Sequence, residues 1–176
     1  MRVGWVVTLG SLAVVSLVAA GTRDPGLTSA PEVRGSQEAQ VTGVGVDPQT
    51  RQPVLVLQGK RDKRNVAMII GFFEAERIAI PLQGVSPPRP LTHDLIVTLL
   101  ADLNASLRRI VITDLKDDVY YALLHLDSPG GALTVDSRPS DAVALALRAK
   151  VPIFVEDRVF DKAARVMPKP SQTPHF

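Results

Sequence analysis

The chain contains no cysteine. That absence excludes a disulfide framework, a cysteine nucleophile, a thiolate zinc site and an anchor built on a lipid-modified cysteine. Charge of one sign is also missing: 20 Lys and Arg against 18 Asp and Glu leave a formal net charge of +2. Net charge therefore gives little support for nucleic-acid binding. There is no Walker loop, no glycine-rich dinucleotide fingerprint, no nucleophile elbow and no HExxH pair, which removes the motif-borne chemistries of nucleotide, serine and zinc enzymes. With 176 residues there is room for one compact domain and a tail at each end.

What is present begins with "MRVGWVVTLGSLAVVSLVAAG": Arg2 precedes an apolar run from Val3 to Ala20 that ends in small residues. These are the three parts of a secretory signal, so residues 1–21 are expected to direct export. The same run has the length of a single membrane anchor, the alternative if it is retained. Residues 22–40, rich in proline, glycine and polar residues, read as a flexible linker, and 167–176 as a frayed tail. The folded unit is then expected over 41–166.

Within that unit the pattern alternates between strands and helices. "VTGVGV", "VLVLQ" and "NVAMII" read as three strands joined by "DPQTRQP" and the charged turn "GKRDKR". The charged turn is expected to be solvated, or to touch a nucleic-acid backbone. Apolar residues at helical spacing start a helix at Phe72, which Pro81 should kink or end, with Gly84 closing it. A second helix is expected from Thr92 to Asn104, with Thr92 as N-cap and Leu95, Ile96, Leu99, Leu100 and Leu103 on one face. "LRRIVITDL", a tight "KDD" turn and "VYYALLHL" form a hairpin, and "LTVD" a further strand. Pro139 opens an Ala and Leu helix, "PIFVE" is a buried strand and "DRVFDKAARV" an amphipathic helix. This is an α+β chain.

Two helix entrances concentrate the polar chemistry: Arg89, Pro90 and Asp94 at one, Arg138, Pro139 and Asp141 at the other. At the first, Thr92, Asp94 and the prolines all have capping or chain-directing roles, which leaves His93 and Arg89 to be explained. Two readings stand. His93 is a solvated residue at a helix start, or it is a general acid or base with Arg89 and free helix N–H groups meeting a phosphate. At the second entrance, Asp136 and Asp141 either pair with Arg138 or, with Glu74, bind a magnesium or manganese ion that activates water at a phosphodiester. His125 reads as a sheet residue and His175 lies in the tail.

A longer stretch carries a resemblance. "IIGFFEAERIAIPLQGVSPPRPLTHDLIVTLLADLNASLRRIVITDLKDDVYYALLHLD", followed by "VDSRPSDAVALALRAKVPIFVEDRVF", resembles the bifunctional nuclease domain family, over about Val41 to Val166. The resemblance implies an α+β domain with a mixed sheet of hairpins and three to four helices, a tendency to form homo-oligomers, and nuclease activity on DNA and RNA. It brings no agreed catalytic set. The roles of His93, Asp94 and Asp141 as catalytic residues, of Arg89 and Arg138 as phosphate contacts, and of Asp136, Asp141 and Glu74 as metal ligands remain inferences from side-chain chemistry. Pro81, the "NVAMIIG" strand and the export signal depart from the family's usual pattern. A non-catalytic assembly module, with both entrances buried between subunits, is the alternative function.

Overall fold

The computed structural model of the chain describes residues 35–166. The expected export signal, most of the expected linker and the tail lie outside those residues. Eleven elements follow one another: β1 (Ser36–Val46), β2 (Pro53–Gly59), β3 (Asn65–Ile69), α1 (Phe72–Leu82), α2 (Thr92–Asp102), β4 (Ser106–Lys116), β5 (Val119–Ser128), β6 (Gly131–Ser137), α3 (Pro139–Ala149), β7 (Ile153–Glu156) and α4 (Asp157–Val166). The strands form one seven-stranded sheet in the order β3-β2-β1-β7-β4-β5-β6. Only β4 and β7 pair in parallel, so the sheet is mixed and the fold α+β, as the sequence implied.

Each hairpin has a local cause. β4 and β5 meet through Asp117 and Asp118, both with φ near +50 to +60° (49° and 61°). That is the two-residue turn whose twist matches the flanking strands. β2 alternates buried with partly buried side chains, with Leu55 and Leu57 fully buried. The sheet curls strongly. The Tyr120 hydroxyl of β5 donates to the Ala67 carbonyl of β3 at 3.1 Å, although four strands separate them in the sheet order. Helix α3 carries the chain from edge strand β6 back to central β7, and its Ala142, Val143, Ala144, Leu145 and Ala146 are all buried. Pro81 sits in the last turn of α1, which ends one residue later, and Gly84 with φ +66° closes it.

Two expectations need correction and one an addition. The first strand starts at Ser36, five residues before the expected boundary at Val41. Ser36 to Ala39 pair with Glu156 to Ile153, and Gln37, buried, donates to Asp62 at 2.8 Å and accepts from the Arg61 N–H at 3.2 Å. A polar segment can be a central strand when its polar side chains find partners. Second, "GKRDKR" is clamped onto α4. Arg64 meets Asp161 at 2.7 Å and Asp157 at 2.9 Å while its guanidinium lies 4.8 Å from the Phe160 ring centre, and Arg61 meets Asp157 at 2.7 Å. The turn is solvated as expected, with Lys60, Arg61, Asp62 and Lys63 exposed, and these ion pairs fasten it to α4. Third, α2 turns the expected apolar face outward: Leu95, Ile96, Leu99 and Leu103 are exposed, and its one buried residue is His93.

Candidate functional site

The amino ends of α1, α2 and α3 converge on a cleft of about 530 Å³. Glu74 and Phe73 come from the first turn of α1, Thr92, His93 and Ile96 from α2, and Arg138, Asp141 and Leu145 from the start of α3. Pro139 at the first position of α3 explains that entrance: its fixed φ suits a helix start, and the extended residue before it, Arg138, is the N-cap. No side chain caps α3, so Asp141 in its first turn is free to interact elsewhere.

Four polar side chains form a chain across this cleft. Glu74 Oε1 accepts from Arg138 Nη1 at 3.0 Å, Arg138 Nε donates to Asp141 Oδ2 at 2.6 Å, and Asp141 Oδ1 lies 3.1 Å from His93 Nε2. Burial works against ionisation of Asp141. Its hydrogen bonds from Arg138 and His93 outweigh that cost and hold the carboxyl below its ordinary value. An ionised Asp141 can only accept, so His93 Nε2 carries a proton. The other ring nitrogen, Nδ1, is buried without a hydrogen-bond partner among the described residues. His93 is therefore buried rather than solvated at its helix start, with Nε2 committed to Asp141.

The backbone also positions the chain. Gly71 is the N-cap of α1, and a Cβ built there would come within 2.1 Å of Glu74 Oε2. The missing side chain at Gly71 is what lets Glu74 fold back over the helix start toward Arg138.

The remaining expected site residues lie elsewhere. Asp94 does not line the cleft. Its Oδ2 accepts the Leu91 N–H at 2.8 Å and its Oδ1 meets Arg148 Nε at 2.5 Å. Arg148, almost wholly buried, also donates to the Arg77 and Ala144 carbonyls, both at 2.9 Å. Asp94 and Arg148 thus tie α2 to the middle of α1 and the end of α3. Leu91 is the N-cap of α2 and Thr92 already helical and exposed; the cap is supplied from inside the helix by Asp94, not by Thr92. Arg89 is exposed and outside the cleft, and Asp136 is exposed on edge strand β6.

A divalent ion held jointly by Glu74, Asp136 and Asp141 does not fit this arrangement. Glu74 and Asp141 both already pair with the Arg138 guanidinium, which stands between them, and Asp136 is not part of the cleft. Among the described residues, no group of three or more His, Asp or Glu side chains is placed to hold a metal.

A second charged centre was not apparent from the sequence. Asp114, buried in β4, meets Lys162 at 2.6 Å, Lys116 at 3.3 Å and Arg158 at 3.9 Å and accepts the Leu115 N–H at 2.8 Å. The Lys162 ammonium, above all, holds its carboxyl well below the usual range, against the effect of burial. A register shift between Ile112 and Asp114 turns two consecutive residues, Asp114 and Leu115, inward. The one signal in the sequence is a lone carboxylate inside the apolar run "IVITDL".

Known proteins resemble this chain across that same region. A protein of Mycobacterium tuberculosis (strain ATCC 25618 / H37Rv), itself uncharacterised, is 45% identical over 134 residues, covering 76% of this chain and 80% of that protein. Bifunctional nuclease 1 of Oryza sativa subsp. japonica is 31% identical over 97 residues, covering 52% of this chain but 29% of the plant protein. Bifunctional nuclease 1 of Arabidopsis thaliana is 30% identical over 77 residues, 42% of this chain and 24% of that protein. The sequence profile of the bifunctional nuclease domain matches residues 55–168. Every residue of the polar chain falls inside the matched span, and the protein belongs to the bifunctional nuclease domain family.

Proposed function

We propose that this protein is a nuclease that hydrolyses phosphodiester bonds of DNA and RNA with low sequence specificity, using the cleft between α1, α2 and α3. One observation carries the reading. Arg138 is a solvent-reaching guanidinium, 64% exposed, locked in place by carboxylates on both sides. Its bonds to Glu74 and Asp141 engage Nη1 and Nε, leaving both hydrogens of Nη2 and one of Nη1 free for a phosphate. A planar fork held rigid in this way meets a phosphate with little further loss of freedom.

In this reading a water at the cleft attacks the phosphorus, Asp141 takes the water's proton, and the bond to the leaving oxygen breaks while that oxygen gains a proton from solvent. His93 fixes Asp141 through Nε2, and Glu74 fixes Arg138. No step is assigned to magnesium or manganese; metal dependence is a variable of the assay. The names of the plant relatives support the reading. The apolar run at residues 3–20 belongs to the same proposal as an export signal, which would place cleavage outside the cytosol.

The test is incubation of the full chain with plasmid DNA and with labelled RNA, with magnesium, with manganese and with chelator. Cleavage that falls at least about 100-fold in Arg138→Gln and in Asp141→Asn, with folding intact, is the expected result. No cleavage under any condition, or cleavage indifferent to both substitutions, overturns the proposal. Equal rates in chelator would dispense with the metal.

A different observation favours a second reading, self-association through α2. Leu95, Leu99 and Leu103 are 52%, 49% and 69% exposed, an apolar face that a second copy of the chain would cover. Sedimentation of the full chain and of Leu99→Lys tests it: a monomer in both cases removes the reading.

A further inference from the structure

The Glu74 to Arg138 bridge is a partition. On its other side lies a second cavity of about 330 Å³, and the two cavities have only Glu74 and Arg138 in common. A phosphate seated on Arg138 therefore stands at the boundary, with space on both sides for what it is esterified to.

The second cavity has the character of a site for an uncharged ring. Its walls include Ile70, Val119 and Pro139 and the half-buried Tyr120, whose hydroxyl is held by the Ala67 carbonyl so that the ring is fixed. Its volume lies at the lower end of ordinary ligand pockets, which run from about 300 Å³ upward. Ser140, 7% exposed, lines it, and its hydroxyl makes no hydrogen bond to any described residue. That hydroxyl is free to hydrogen-bond the polar edge of an occupant. Asp118 and Glu74 add two carboxylates to the wall. Those carboxylates repel a second phosphate, while Asp118 can accept from the ring N–H or amino group that every nucleobase carries. We infer that this cavity is a nucleobase pocket, holding the base on one side of the phosphate bound at Arg138. The inference rests on the nuclease reading and adds a subsite to it.

Binding of the full chain to a fluorescent single-stranded oligonucleotide with non-hydrolysable linkages is the direct test. A single abasic position is moved along the strand, and the same series is run on Ser140→Ala and on Val119→Trp, which fills the cavity mouth. Loss of the base at one position only is expected to weaken binding about tenfold, the scale of a base stacked on an aromatic side chain. That contrast should shrink several-fold in Ser140→Ala and disappear in Val119→Trp, with circular dichroism unchanged. Binding that is equal at every abasic position, or a contrast untouched by both substitutions, overturns the pocket while leaving the nuclease reading in place. Absence of any oligonucleotide binding or cleavage overturns both.

Discussion

At the scale of single residues, neighbours in sequence have exchanged roles. Thr92 stands where capping chemistry would place an N-cap, yet it is exposed and makes no cap hydrogen bond, while His93 beside it is buried against Asp141. Thr92→Ala should therefore change stability by less than about 0.5 kcal/mol. His93→Ala should cost about 1–3 kcal/mol, the range for removing one partner of a buried hydrogen bond. Urea unfolding of the two variants checks the order; a larger loss in Thr92→Ala would contradict the geometry. Asp94→Ala should cost more, about 3 kcal/mol, the lower end for breaking a buried ion pair, because it leaves the Arg148 guanidinium without its carboxylate. Asp94→Asn keeps an acceptor for the Leu91 N–H and should lose less, as the same unfolding series will show.

At the scale of elements, three helix starts build the cleft. The three amino ends meet because α3 bridges edge strand β6 to central β7 and α1 and α2 rest on it, so first-turn residues far apart in sequence share one cleft. Gly71 tests how tightly that meeting is set. Its φ of −75° is open to any residue, so Gly71→Ala adds no backbone strain, but the new Cβ occupies the place of Glu74 Oε2. Stability should change by less than about 1 kcal/mol, the ordinary range for exchange at a cap. The displaced Glu74 should release Arg138 and, on the nuclease reading, lower turnover by up to about 100-fold. Calorimetry and cleavage assays on one preparation separate the two effects; full activity in the folded variant would show that Glu74 does not position Arg138.

At the scale of the whole molecule, three carboxylates tie the fold together across long sequence separations: Asp94 to Arg148, Asp114 to Lys162 and Asp141 to His93. For Asp94 and Asp141 desolvation opposes ionisation, and hydrogen bonds and neighbouring positive charge overcome it. For Asp114 the Lys162 ammonium is the leading influence. In all three the folded chain holds the carboxyl below its ordinary 3.8. The unfolded chain thus binds more protons than the folded one just below pH 4. These groups contribute their full stability above that pH, and the contribution is lost as pH falls through the lower folded values. Unfolding midpoints should hold steady from pH 7 to about 5 and fall steeply below about 4, with a shallower fall in Asp114→Asn. A midpoint that rose on acidification would reverse the sign and refute the assignment.

Periodicity and turn chemistry by themselves determined the α+β class, the start of α1, the end that Pro81 and Gly84 impose on it, the two-residue turn at Asp117 and Asp118 and the opening of α3 at Pro139. Those features depend on interactions within a few residues, and a local pattern carries them. The chain's own ordered motifs also indicated its family, and the pairing of Arg138 with Asp141; its pairing with Glu74, in place of Asp136, was not legible. What only the tertiary structure decided is which polar residues face the cleft. The orientation of α2 follows from His93 reaching Asp141 and Asp94 reaching Arg148, partners 48 and 54 residues away, and no local spacing encodes such pairings. For the same reason Ser36 and Gln37 look like linker until β7 and the Arg61 loop give them partners. Asp114 looks like a surface carboxylate until a strand irregularity and α4 bring Lys162 to it. A buried polar group is tolerated only with a partner, and the fold alone brings the two together.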